Sequence, residues 1–238
     1  MKNKIMSLLF VISFANVGQA ADNEIMIDQT GNVFKLYIDQ VGYGNTIGAD
    51  DFSSTGTVMD IDAINLTLDI DQIGNLNQLY GVFKADNSDW DLLFTGDSNI
   101  FDWNIGYGSS ADSSTVDLDV TGSSNTFDFD QGYITSAERL DFDLVLVGGS
   151  NVWDLDFESD DATWNWDYTG SNSNINTNMT DGGYHIQNVT MVGDSADIDI
   201  TQSSGTCPSG PTSCSGQITL DVTSDNAIIQ IIQSDTSD

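Results

Sequence analysis

Apolar and polar residues alternate along most of the chain, as in Val116-Asp117-Leu118-Asp119-Val120 and Thr126-Phe127-Asp128-Phe129-Asp130. A period of two belongs to β-strands with one face in a core and the other in water. Between these two stretches lies Thr121-Gly122-Ser123-Ser124-Asn125, so the local reading is strand, tight turn, strand. Within their strands Val116, Leu118, Val120, Phe127, Phe129, Phe142, Leu144, Trp153, Leu155, Phe157, Trp164, Trp166, Ile198 and Ile200 share one parity. These are the expected core. Inward parity also places most of the five tryptophans there.

The pattern repeats. Glycine followed three residues later by asparagine occurs at Gly42/Asn45, Gly74/Asn77, Gly96/Asn99, Gly122/Asn125 and Gly148/Asn151. Degenerate copies are read at Gly170/Asn174 and Gly193/Asp197, with a trace from Ser224 to Asn226. From Gly74 to Gly193 the glycines are spaced 22, 26, 26, 22 and 23 residues apart, and Gly31 to Gly42 is half a unit. Such a unit holds two short strands and two turns, the size of one solenoid coil. The extra residues fall in the second turn, at Gly106 to Ser114 and Gln131 to Ala137.

The fold expected is all-β, a β-solenoid of about eight stacked strand-turn-strand coils with two short strands per coil, on the order of 40 Å tall. In it the glycine supplies a positive φ, and the asparagine bonds the turn backbone or pairs with its neighbours as an amide ladder. Gln29, Gln40, Gln72 and Gln78 are expected to ladder likewise. The polar end Ser234 to Asp238 is expected to cap one side.

Composition narrows the function. Lys2 and Lys4, an apolar run from Ile5 to Val17 and small residues ending at Ala20 have the layout of a secretory signal peptide, residues 1–20, leaving 21–238 as the solenoid domain. The formal net charge of -32 excludes nucleic acid and anionic membrane surfaces as partners, and no stretch after the leader is long enough to insert in a membrane. Aspartate supplies nearly all the acid and proline occurs twice, which favours strands and turns over helices. Cys207 and Cys214 suit one local disulfide stapling a loop at 203–217.

Gln40-Val41-Gly42-Tyr43-Gly44-Asn45 and Gln72-Ile73-Gly74-Asn75-Leu76-Asn77 resemble the curlin repeat of curli fibre subunits, with Gln29-Thr30-Gly31-Asn32 as a partial copy. The resemblance is best over residues 21–80; later coils keep glycine and asparagine but lose the leading glutamine, and Gln131 stands outside the motif. It implies a secreted cell-surface β-solenoid that self-associates, or joins other curlin-type subunits, into amyloid-type fibres of a pilus, serving adhesion and biofilm.

Enzymatic chemistry is not expected. His185 is the only histidine and reads as a plain surface or strand residue beside a turn, and neither a Gly-x-Ser-x-Gly elbow nor a phosphate-binding loop occurs. No cofactor is expected beyond Ca²⁺, for which the rows Asp128, Asp130, Asp141, Asp143, Asp154 and Asp156 are the candidates. The alternative to a fibre subunit is a non-polymerising acidic surface or virion-associated solenoid that binds a partner, a glycan or Ca²⁺.

Overall fold

The computed structural model describes residues 8–15, 24–48, 59–105, 113–131, 139–158, 161–180, 184–204 and 216–235. These residues contain strands and no helix, and every strand pairing is parallel. The chain winds as a β-solenoid whose strands form two columns. One column stacks β1 (Leu8–Ala15), β3 (Asp28–Val41), β5 (Met59–Ile73), β7 (Ser88–Thr95), β9 (Ser114–Thr121), β11 (Leu140–Val147), β13 (Ala162–Thr169), β15 (Ile186–Val192) and β17 (Gln217–Thr223). The other stacks β2 (Glu24–Ile25), β4 (Thr46–Ile47), β6 (Gln78–Ala85), β8 (Ile100–Ile105), β10 (Thr126–Gln131), β12 (Val152–Glu158), β14 (Asn174–Thr180), β16 (Asp197–Ser204) and β18 (Ile228–Asp235).

Regular two-strand coils run from β6 to β15, and wider ones flank them on both sides. On the amino-terminal side, the second coil is split between β4 and β5 by residues 49–58, and the far half of β5 (Met59–Ala63) pairs with β6. The sequence pattern placed insertions only in the second turns, where 106–112 and 132–138 do separate β8 from β9 and β10 from β11.

Alternation predicts the core correctly. All fourteen residues of the shared parity are buried, and the five tryptophans are at most 1% exposed. Ring contacts run up the stack from Phe101 to Phe127 (4.5 Å) and on to Trp153 (5.2 Å), so aromatic packing joins coil to coil. The five indole N–H groups have no acceptor among the described residues. Each such buried donor costs about 1–3 kcal/mol, which the ring area must outweigh.

Three expectations are corrected. His185 is fully buried, because its position ahead of β15 stacks on Ala162 in the inward row. Ser234 and Asp235 continue β18 and pair with Ser203 and Ser204, so they extend the last strand and do not fold over the end. Gly31 lies inside the continuous β3 and not in a tight turn.

Candidate functional site

The first turns from Gly42 to Gly193 are built by a stacked column of glycines, which the turn between β17 and β18 replaces by Ser224. Gly42, Gly74, Gly96, Gly122, Gly148 and Gly193 have φ between 139° and 155°, where side chains are strained. Stacking imposes a second requirement that the single coil does not reveal. A Cβ on Gly122 would lie 1.9 Å from the carbonyl oxygen of Gly96, and one on Gly96 equally close to that of Gly74. Two residues later the backbone is left-handed, at Leu76, Ser98, Ser124, Ser150, Asn172 and Ser195.

The asparagines lock this turn in two directions. Asn77, Asn99, Asn125 and Asn151 are fully buried, and each Nδ2 donates to the carbonyl of its own glycine at 2.5–3.1 Å. Across coils, the backbone N–H of Asn77 donates to Asn99 Oδ1, Asn99 to Asn125 and Asn125 to Asn151, each at 2.9 Å. Among the described turn asparagines and the expected ladder glutamines, amide-to-amide rungs occur at the amino-terminal end, where Asn45 Nδ2 donates to Asn77 Oδ1 (2.9 Å) and Gln72 Nε2 to Gln40 Oε1 (2.7 Å); a further amide pair, Asn188 Nδ2 to Asn165 Oδ1 (2.8 Å), lies on the strands and not in the turn. Beyond that end the turn rungs are backbone to side chain. Gln29 donates to the adjacent Thr30 carbonyl and Gln78 accepts from Thr46, so neither extends the ladder as expected.

The degenerate copies shift by one residue. Ser173 and Ala196, not Asn174 and Asp197, occupy the buried asparagine place; the latter two open β14 and β16 on the exposed face. Ser173 Oγ still accepts from the Asn151 N–H at 3.1 Å.

Sequence reading missed a second ladder on the outside of the turn. Asn75 Oδ1 accepts from the Asp97 N–H, Asp97 Oδ1 from Ser123, Ser123 Oγ from Gly149, Ser171 Oγ from Asp194 and Asp194 Oδ1 from Asp225. Asn, Asp and Ser share only an accepting oxygen on a short side chain, which residue identity does not show.

The acidic candidates separate onto two faces. Asp128, Asp130, Asp154 and Asp156 belong to β10 and β12 in one column, and Asp141 and Asp143 to β11 in the other. Among the described residues, no three His, Cys, Asp or Glu side chains are gathered to hold a metal ion. Register does stack like charges: Asp69, Asp91, Asp117 and Asp143 lie on successive strands, as do Asp102, Asp128 and Asp154. Each run ends on an asparagine that donates to the last carboxylate, Asn165 to Asp143 (2.6 Å) and Asn176 to Asp154 (2.8 Å). Cys207 and Cys214 lie outside the described residues.

Burial and neighbouring carboxylates raise several of these groups. Asp130 is pushed from 3.8 to about 6 by partial burial and then by Asp128, Asp156, Asp154 and Glu158. Asp117, Asp128, Asp141 and Asp156 are raised as well, mainly by burial. A carboxylate raised in the folded state binds its proton more tightly folded than unfolded, so its stabilising contribution is complete below 3.8 and lost as pH rises through about 6. Thermal melting is therefore expected at a higher temperature near pH 5 than near pH 7, with Asp130→Asn flattening the difference; solvent screening holds the Asp130 share to about 1 kcal/mol.

The site as a whole is a stacking apparatus of glycine column, buried amides and outer acceptor ladder, complete from Gly74 to Asn151 and reduced in the coils that follow, where Ser173 and Ala196 replace asparagine and Ser224 follows Gly193 in the column. The chain matches no family model, and neither a curated protein nor a solved structure is detectably similar to it.

Proposed function

We propose that the chain is an exported, curli-like structural subunit that assembles end to end into extracellular fibres. The observation that carries this reading is the last described coil, β17 with β18, on which no further described strand stacks. Among the described strands, β17 pairs only with β15 and β18 only with β16, so each leaves a free backbone edge. The inward row of β18 is uncovered, with Ile229 37% and Ile231 44% exposed, and Ile218, Leu220 and Val222 are only partly buried against the core. Apolar faces and open edges of this kind are templates for another strand.

The partner is a second copy, because its first coil continues the internal register. Residues Val41, Ile73, Thr95, Thr121, Val147, Thr169, Val192 and Thr223 form one unbroken row, each opposite the next. Adding a second copy in the same register sets its Val41 on Thr223, its Ile38 on Leu220 and its Leu36 on Ile218. Asp39 would meet Asp221, a like-charge contact of about 1 kcal/mol in water that salt or acid relieves.

The receiving edge of β3 already accepts a parallel strand: β1 pairs with it from Leu8↔Phe34 to Ala15↔Val41. That strand lies within the expected leader, so removal of residues 1–20 would free the edge for the incoming β17. Purified 21–238 is expected to elongate from seeds by thioflavin fluorescence and electron microscopy. Leu220→Asp and the leader-bearing chain are each expected to slow elongation at least tenfold; equal growth of all three would overturn the interface.

A further inference from the structure

A groove of about 500 Å³ runs across the starts of β9, β11 and β13 to Tyr184 ahead of β15, on four consecutive coils away from the end faces. Its floor is two rows of side chains set by the strand register. Ser113, Arg139, Asp161 and Tyr184 form one row, each just ahead of a strand start, and Thr115, Asp141 and Thr163 the other. The Ser114 N–H donates to the Arg139 carbonyl (3.1 Å), the Leu140 N–H to the Asp161 carbonyl (3.0 Å) and the Tyr184 N–H to Asp161 Oδ1 (2.9 Å), so the first row is held by backbone groups.

Arg139 is out of place as a purely structural residue. Its φ is 59°, and the equivalent left-handed positions one and two coils earlier hold Ser113 and Asn87, small residues suited to that conformation. Arginine there costs backbone energy without an ion pair in return: among the described residues no carboxylate lies within 4.0 Å of its guanidinium. In a chain with a formal net charge of -32, an exposed guanidinium flanked along the stack by a serine and an aspartate, with no ion pair among the described residues, is a cation available to a ligand in the groove.

We propose that this groove binds a neutral, extended oligosaccharide, with Arg139 and Tyr184 as its main contacts. Sugar hydroxyls need donors and acceptors in alternation, which the guanidinium, the Asp141 and Asp161 carboxylates and the Ser113, Thr115 and Thr163 hydroxyls supply. The phenol ring of Tyr184, 40% exposed, offers the flat apolar face on which a pyranose stacks. Coils recur about every 4.8 Å, close to the length of one ring in an extended β-linked chain, so successive rings meet successive coils. A polyanionic glycan is disfavoured by the surrounding carboxylates.

The proposal is independent of fibre assembly, and its test uses soluble 21–238. Titration calorimetry with hexamers of β-linked glucose and of β-linked N-acetylglucosamine is expected to give binding by at least one at submillimolar concentration. Arg139→Asn should weaken it at least about tenfold, the worth of a charge-assisted hydrogen bond, and Tyr184→Ala comparably. Because asparagine suits the left-handed site, Arg139→Asn should also melt no lower than the parent, which separates lost binding from lost fold. Absence of binding by both hexamers, an unchanged affinity in both variants, or binding of a polyuronate in their place would overturn it.

Discussion

Gly122→Ala is expected to remove at least about 3 kcal/mol of stability, measured by urea denaturation. Two effects combine. The residue holds φ at 148°, and the new methyl would sit 1.9 Å from the Gly96 carbonyl oxygen and 2.5 Å from its carbon. Backbone cannot move aside as a flexible side chain would, so relief requires parting two coils. The same turn contains a control of opposite sign. Ser124 has φ 62°, and Ser124→Gly is expected to be neutral or to stabilise by up to about 1 kcal/mol. If both variants lose stability equally, the effect belongs to the turn's sequence and not to stacking.

Asn125→Leu is expected to cost about 2–4 kcal/mol, because leucine of similar size removes both polar partners at once. The Gly122 carbonyl loses the Nδ2 donor at 3.0 Å, and the Asn99 N–H loses its acceptor at 2.9 Å. Both groups are then buried where water cannot replace the side chain. Amide exchange at Asn99 should accelerate more than exchange at Asn151, whose own acceptor is Ser173. Equal acceleration at the two would indicate general loosening of the solenoid.

The strands were legible because burial imposes a period of two, and Val116, Leu118 and Val120 obey it without exception. The turn was legible from Gly122 and Asn125, since few residues serve a positive φ or a buried donor-acceptor pair. What could not be read was the content of the stack. That Gly96 must lack a side chain because of Gly74 is a relation between residues 22 apart, invisible before coils are superposed.

Interchangeable chemistry misled the register at the carboxy-terminal end. Ser173 and Ala196 take the asparagine place while true acids and amides stand one residue later, so a search for Asn or Asp settles on Asn174 and Asp197. The same equivalence hid the outer ladder through Asn75, Asp97, Ser123, Ser171 and Asp194. The groove around Arg139 left no motif, because its residues sit at the starts of strands that follow second turns of different length and meet only once the coils stack.

The asparagines ending the carboxylate runs bear on assembly as well. Asn165 and Asn176 each donate to the carboxylate of the preceding coil, so the carboxy-terminal coils carry fewer aligned acids than the middle of the stack. Like-charge repulsion is thereby lowest near the end proposed to receive a partner, apart from Asp221.

The most direct measurement is fibre diffraction and electron cryomicroscopy of material grown from purified 21–238. End-to-end addition predicts a meridional spacing of about 4.8 Å along the fibre, with β17 of one subunit paired in parallel to β3 of the next and Ser224 as the one non-glycine in the turn column between Gly193 and the next copy's Gly42. Protein that stays monomeric and β-rich when seeded, or fibres whose subunits join through the outer faces of the columns, would contradict the account.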